Sequence, residues 1–107
     1  MAIEEITVDE LDELLAAPGV AVLDVRNPDE FEEARVPGVA LIPLSELEQR
    51  VDEVPDAAAL YVICRSGARS AKAAELLAQR GITAVNVAGG TMAWIESGRS
   101  VDSGPAS

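Results

Sequence analysis

Histidine is absent from these 107 residues, and cysteine occurs once, at Cys64. An internal disulfide is therefore excluded, as are a Cys-His dyad and zinc sites built on the usual Cys and His ligands. Aromatic residues are scarce, with Phe31, Tyr61 and Trp94 making up 3% of the sequence. Since 49% of the residues are hydrophobic, the core has to be assembled from Val, Leu, Ile and Ala around those three fillers. Basic residues number eight against nineteen acidic ones, a net charge of −11, and the acids are densest before residue 34. That balance argues against nucleic acid or an anionic membrane as a general partner, because both require a basic footprint. No apolar run approaches membrane-spanning length, and Met1-Ala2-Ile3-Glu4-Glu5 lacks the basic and apolar segments of a signal peptide. A single thiol suits a reducing compartment, so the expectation is a soluble, cytoplasmic protein.

What is present is an alternation of short helices and strands. Thr7 with Glu10 has the form of a capping box, and Val8, Leu11, Leu14 and Leu15 repeat at helical spacing, predicting a helix to about Ala17 that stops at Pro18-Gly19. Val20 to Val25 is a buried central strand, after which Asn27 caps a short helix with Pro28 at its first position. Val39 to Ile42 is a second strand; Ser45 with Glu48 predicts a helix through Leu47 and Val51, ending near Pro55. Leu60 to Ile63 is again a strand, and Ser70 to Arg80 carries Ala73, Leu76 and Leu77 on one face of a helix that Gly81 terminates. Ala84 to Val87 forms the last strand, Gly89-Gly90 a tight turn, and Thr91 caps a helix that packs Trp94 on the sheet. The order implies one α/β domain with a small, mainly parallel sheet, spanning residues 1–99, and a flexible tail over 100–107 rich in Ser, Gly and Pro.

The chemistry concentrates at Cys64-Arg65-Ser66-Gly67-Ala68-Arg69-Ser70, between a strand and a helix. Backbone N–H groups of such a loop and of the helix's first turn open toward its mouth, at the positive end of the helix dipole. Arg65, Arg69 and Lys72 place three of the eight basic residues within nine positions that contain no acid. These surroundings favour the thiolate, the reactive form of cysteine, whereas a cysteine at a strand end without them is an inert core filler. Arg65 is the candidate to face an anion and Arg69 to be partly structural. Lys72 is expected to pair with Glu75, Asp24 with Arg26 to secure neighbouring loops, and Gly89-Gly90 to be a turn and not a phosphate loop.

The loop resembles the active-site loop of rhodanese-like sulfurtransferases. Two further stretches carry the resemblance in the family's order: Asp24 to Phe31 followed by Val36-Pro37-Gly38 and Ile42-Pro43-Leu44, and Val87-Ala88-Gly89-Gly90 followed by Trp94. The resemblance covers most of residues 3 to 99 and implies a three-layer α/β fold with helices on both faces of the sheet. It implies Cys64 as nucleophile, with Arg65, Ser66, Gly67, Ala68, Arg69 and Ser70 binding substrate. It also implies a sulfurtransferase that carries sulfane sulfur from a donor such as thiosulfate, through a Cys64 persulfide, to cyanide or a thiol, with no cofactor or metal. Its partners would be a small anionic sulfur donor, an acceptor and a sulfur-relay protein. Two other readings stay open: a persulfide carrier or sensory module acting on a protein partner, and a cysteine-dependent phosphatase or arsenate reductase. Arg35 stands where family members commonly have histidine, which removes that histidine's role from this chain.

Overall fold

The computed structural model describes residues 3–105. Five strands form one sheet in the order β1-β5-β4-β2-β3. They are β1 (Glu5–Ile6), β2 (Val20–Asp24), β3 (Ala40–Leu41), β4 (Ala59–Ile63) and β5 (Val85–Val87), and every pairing among them is parallel. The helices are α1 (Val8–Leu14), α2 (Pro28–Glu33), α3 (Ala68–Gln79) and α4 (Gly90–Glu96).

Strand periodicity sorts the core into two layers. On β4, Leu60 and Val62 join Leu23 of β2 and Ala73, Ala74 and Leu77 of α3. Tyr61 and Ile63 point the other way, against Val8 and Leu11 of α1 and Trp94 of α4. A central parallel strand covered on both faces reads as a continuous apolar run, which is why Leu60 to Ile63 carries no polar residue. The result is the expected three-layer architecture. No described helix is long and apolar enough to cross a membrane.

Three local expectations change. The Ser45–Glu48 helix is replaced by two 3₁₀ turns, Leu44–Glu46 and Val51–Glu53, joined by turns around Arg50. Leu47 is buried there, and Arg50 is tied to Glu46 and Glu53, so one anchor and local ion pairs set the path without a continuous apolar stripe. The edge strand β1 had no sequence signal of its own, being two residues long, and exists through its pairing with β5. Finally, Ser100 to Pro105, expected as part of a flexible tail, lies against the domain. Arg35 and Asp102 form an antiparallel bridge, the Gly104 N–H donates to Glu32 O at 2.7 Å, and Trp94 Nε1–H donates to Ser100 O at 2.9 Å. The expectation for residues 106–107, like that for residues 1–2, lies outside the described residues.

The chain runs from β2 out to β3 and then returns past β2 to β4, so the strand order reverses between β2 and β4. Parallel α/β sheets place their reactive groups beyond the strand carboxyl ends at such a reversal. Asp24 ends β2 there, and Cys64 follows β4 directly.

Candidate active site

The loop from Cys64 to Gly67 turns β4 into α3 with only four residues between them. Gly67 makes this possible: its φ of +111° is a region that L side chains rarely adopt, and it serves as the N-cap of α3. The helix therefore begins at Ala68, two residues before the predicted start, and its first turn closes directly over the sulfur. Gly67 N–H donates to Cys64 Sγ at 3.1 Å, and Ser70 Oγ lies 3.3 Å from the same sulfur.

Cys64 is only 1% exposed. Burial pushes its thiol pKa up, whereas the Ser70 hydroxyl and the N–H groups of Ser70, Gly67 and Ser66 pull it down, and the downward pull prevails. Donors already in place around the sulfur thus favour its charged form.

A second helix start clamps the loop from the far side. At the head of α4, Thr91 N–H donates to Cys64 O at 2.8 Å, Thr91 Oγ1–H donates to the same carbonyl at 3.0 Å, and Met92 N–H donates to Arg65 O at 3.0 Å. Thr91 had been expected to cap its own helix. Instead Gly89 is the N-cap, and the threonine hydroxyl holds the Cys64 backbone. The Gly89-Gly90 turn is what lets α4 approach so closely.

The two loop arginines diverge. Arg69 makes a bidentate pair with Glu30 of α2, both contacts at 2.8 Å, which braces the start of α3 against α2. Its charge still bears on the sulfur but is largely neutralised by that carboxylate. Arg65 is exposed and rests its Nε on Met92 Sδ at 3.4 Å, beside a hollow of about 200 Å³ whose lining includes Glu33, Thr91, Met92 and Ile95. Ser66 and Ala68 are exposed at the loop surface, Gly67 is half-buried, and Ser70 is buried beneath the sulfur. The loop therefore brings Cys64, Gly67 and Ser70 together, and places Arg65 at the rim.

Asp24 and Arg26 form a buried pair at 2.7 Å, and Arg26 also donates to Ala34 O at 2.8 Å, which secures the segment after α2. Lys72 and Glu75 are both exposed and lie outside the ion pairs formed among the described residues, so the expected pair is not made. An i,i+3 pair of exposed chains gains only tenths of a kcal/mol and is readily lost to solvent.

Sequence reasoning missed Asn86. It is buried on β5, donates from Nδ2 to Glu5 Oε2 at 2.8 Å and to Gly67 O at 3.1 Å, and accepts the Ser70 hydroxyl on Oδ1. An asparagine inside an apolar strand is the available signal, since a buried amide requires partners.

The Rhodanese-like domain family model matches residues 7–97. A protein named sulfurtransferase from Allochromatium vinosum is 34% identical over 98 residues, covering 90% of this chain and 92% of that protein. YrkF of Bacillus subtilis, a candidate sulfur carrier protein by name, is 43% identical over 74 residues, 68% of this chain; the match spans only 40% of YrkF. Among solved structures, a rhodanese-related protein from Thermoplasma volcanium superposes with a TM-score of 0.85 at 36% identity, covering 92% of this chain and 97% of that one.

Proposed function

This chain belongs to the rhodanese-like domain family, and from that premise we propose that it moves sulfane sulfur from a small anionic donor such as thiosulfate to cyanide or a thiol through a Cys64 persulfide. The observation that carries the reading is the sulfur's position: Cys64 Sγ lies within reach of the Gly67 N–H and the Ser70 hydroxyl at the start of α3. The thiolate attacks the outer sulfur of thiosulfate, the S–S bond breaks, and sulfite leaves with the bonding pair. The persulfide's terminal sulfur then carries the negative charge, which the loop N–H groups of Ser66, Gly67, Ala68, Arg69 and Ser70 are disposed to stabilise. Cyanide or an acceptor thiolate attacks that outer sulfur, and Cys64 leaves as thiolate. Neither step needs a strong acid, in keeping with a chain that has no histidine.

The near-complete burial of Cys64 supports a narrow reagent that presents one atom to the sulfur, and weighs against the tetrahedral centre of a phosphate ester. Arg65, at the rim, attracts the anionic donor, and a reducing compartment such as the cytoplasm keeps the single thiol free.

A second reading, in which the persulfide is delivered to a protein partner, is favoured by Met92 and Ile95, which are 40% and 46% exposed beside Arg65. Such side chains suit contact with another surface more than with a small anion.

Intact mass and thiocyanate release decide between these readings. After thiosulfate alone, the wild type is expected to gain one sulfur atom, which cyanide then removes as thiocyanate, while Cys64→Ser does neither. Arg65→Ala is expected to weaken thiosulfate use and flatten its salt dependence. A wild type that takes up no sulfur from thiosulfate would reject that donor, and sulfur loading without turnover would favour the carrier. Cys64-dependent hydrolysis of an aryl phosphate would overturn the assignment.

A further inference from the structure

The Ser70 hydroxyl has one proton and three acceptors around it: Cys64 Sγ at 3.3 Å, Gly67 O at 3.3 Å, and Asn86 Oδ1, which is the nearest. The Asn86 amide cannot turn over. Its Nδ2 faces Glu5 Oε2 and Gly67 O, both of which only accept, so Oδ1 must face Ser70 and must take its proton. In the thiol form every group is satisfied, with Cys64 S–H donating to Ser70 Oγ and Ser70 O–H donating to Asn86. A thiolate can only accept. For Ser70 to serve it, the hydroxyl must rotate and leave Asn86 Oδ1 without a donor in a site where Asn86 is 1% and Ser70 0% exposed.

We propose that Asn86 is a positioning residue for Cys64: it competes with the thiolate for the single Ser70 proton and thereby tempers the ionisation of the sulfur, while its second hydrogen bond holds the Gly67 carbonyl and with it the loop. Asn86 thus acts in two opposed ways. Through Ser70 it favours the thiol. Through Gly67 it keeps that residue's N–H aimed at the sulfur and favours the thiolate. The Ser70 hydroxyl is the largest downward influence on the thiol, and the N–H groups of Ser70, Gly67 and Ser66 add to it. Glu5 on the edge strand completes a chain of hydrogen bonds that runs from the surface to the nucleophile.

The charged groups around the loop are Arg65, Arg69 with Glu30 of α2, the Asp24–Arg26 pair beyond β2, and Glu5 of β1. Changes at Ser70 and Asn86 to neutral residues leave all of these in place.

This inference rests on Cys64 being the reactive thiol of the proposed transfer, but its test reads the free thiol and needs no sulfur donor. The thiol is titrated by thiolate absorbance and by the pH dependence of iodoacetamide alkylation in wild type, Asn86→Leu, Ser70→Ala and the double variant. With Ser70 present, Asn86→Leu is expected to lower the thiol pKa by about one unit. In the Ser70→Ala background the same change is expected to leave it unmoved or to raise it. Equal shifts in both backgrounds, or an upward shift with Ser70 present, would overturn the proposal. Asn86→Ala, a smaller change on the strand, frees the Ser70 proton without altering any charge around the loop. It gives a second comparison should leucine unfold the strand, with a downward shift again expected only while Ser70 is present. The expected titration shifts in a protein that fails to load sulfur from thiosulfate would leave this proton competition intact and count only against the thiosulfate reading.

Discussion

Gly90 is where two backbones meet. A Cβ there would lie 2.5 Å from Cys64 O and 2.7 Å from both the carbonyl carbon and oxygen of Arg65, and no side-chain adjustment relieves contacts with a backbone. Gly90→Ala is therefore expected to cost about 1–3 kcal/mol in urea unfolding and to slow alkylation of Cys64, because the Cys64 carbonyl must shift. Gly81→Ala is the control. Gly81 also has positive φ, +79°, but nothing lies within 4 Å of its Cβ position, so only the conformational term remains. Equal losses in the two variants would show that the approach of α4 to the loop is not what requires glycine at position 90. The Cys64 to Ser70 loop was legible in the sequence as the turn from a strand into a helix because its seven residues are consecutive and their pattern is local. Gly90, Thr91 and Asn86 were not, since each meets the loop from 16 or more residues away and none belongs to a periodic pattern. Their roles arise from tertiary approach, which spacing along the chain does not encode.

Helix α2 shows how one element serves another. Glu30 closes the start of its own helix by accepting the Asn27 N–H at 3.1 Å, and the same carboxylate receives Arg69 from α3. The first of these contacts is a capping pattern that could be predicted; the second requires α2 and α3 to be neighbours. Arg69 holds the Glu30 carboxyl at about 2, against its ordinary 4.5, although burial opposes the shift. A carboxylate depressed on folding contributes stability that is complete above 4.5 and lost as pH falls through about 2. Glu30→Gln is expected to cost about 1 kcal/mol at neutral pH, a modest value because both side chains are partly exposed, at 34% and 23%. The gap between wild type and variant in urea unfolding should narrow steadily between pH 4.5 and pH 2. A gap that persisted at the acid end would exclude the ion pair as its origin. Strands and helices with a sustained apolar period were readable here. The 3₁₀ turns were not, because Ser45 and Glu48 offer a cap without the apolar stripe that would carry a helix onward.

Considered as one body, the fold is held closed by its last described segment as well as by its core. Arg35 stacks over the Phe31 ring at 4.4 Å and donates from Nη1 to Phe31 O at 2.9 Å and Gly104 O at 2.8 Å. Arg35 is thus a fastener between α2 and the last described segment. Ser, Gly and Pro bury little apolar area and so suggest a flexible tail, whereas the contacts of this segment are backbone hydrogen bonds and one guanidinium, which composition does not report. Removing residues 100–107 takes away the Ser100 acceptor of Trp94 Nε1–H and the Gly104 acceptor of Arg35. The shortened chain is expected to lose about 1–3 kcal/mol, seen as a lower Tm. Arg35→Met, which keeps the stem over Phe31 but not the donors, should lose part of the same amount and not add fully to the truncation, since both break one contact. Among the described residues Cys64 shares no hydrogen bond with the Arg35–Asp102 bridge, so its alkylation rate should be unchanged in both variants. An unaltered Tm after truncation would show that these contacts form without stabilising the fold and would restore residue 99 as the end of the folded unit.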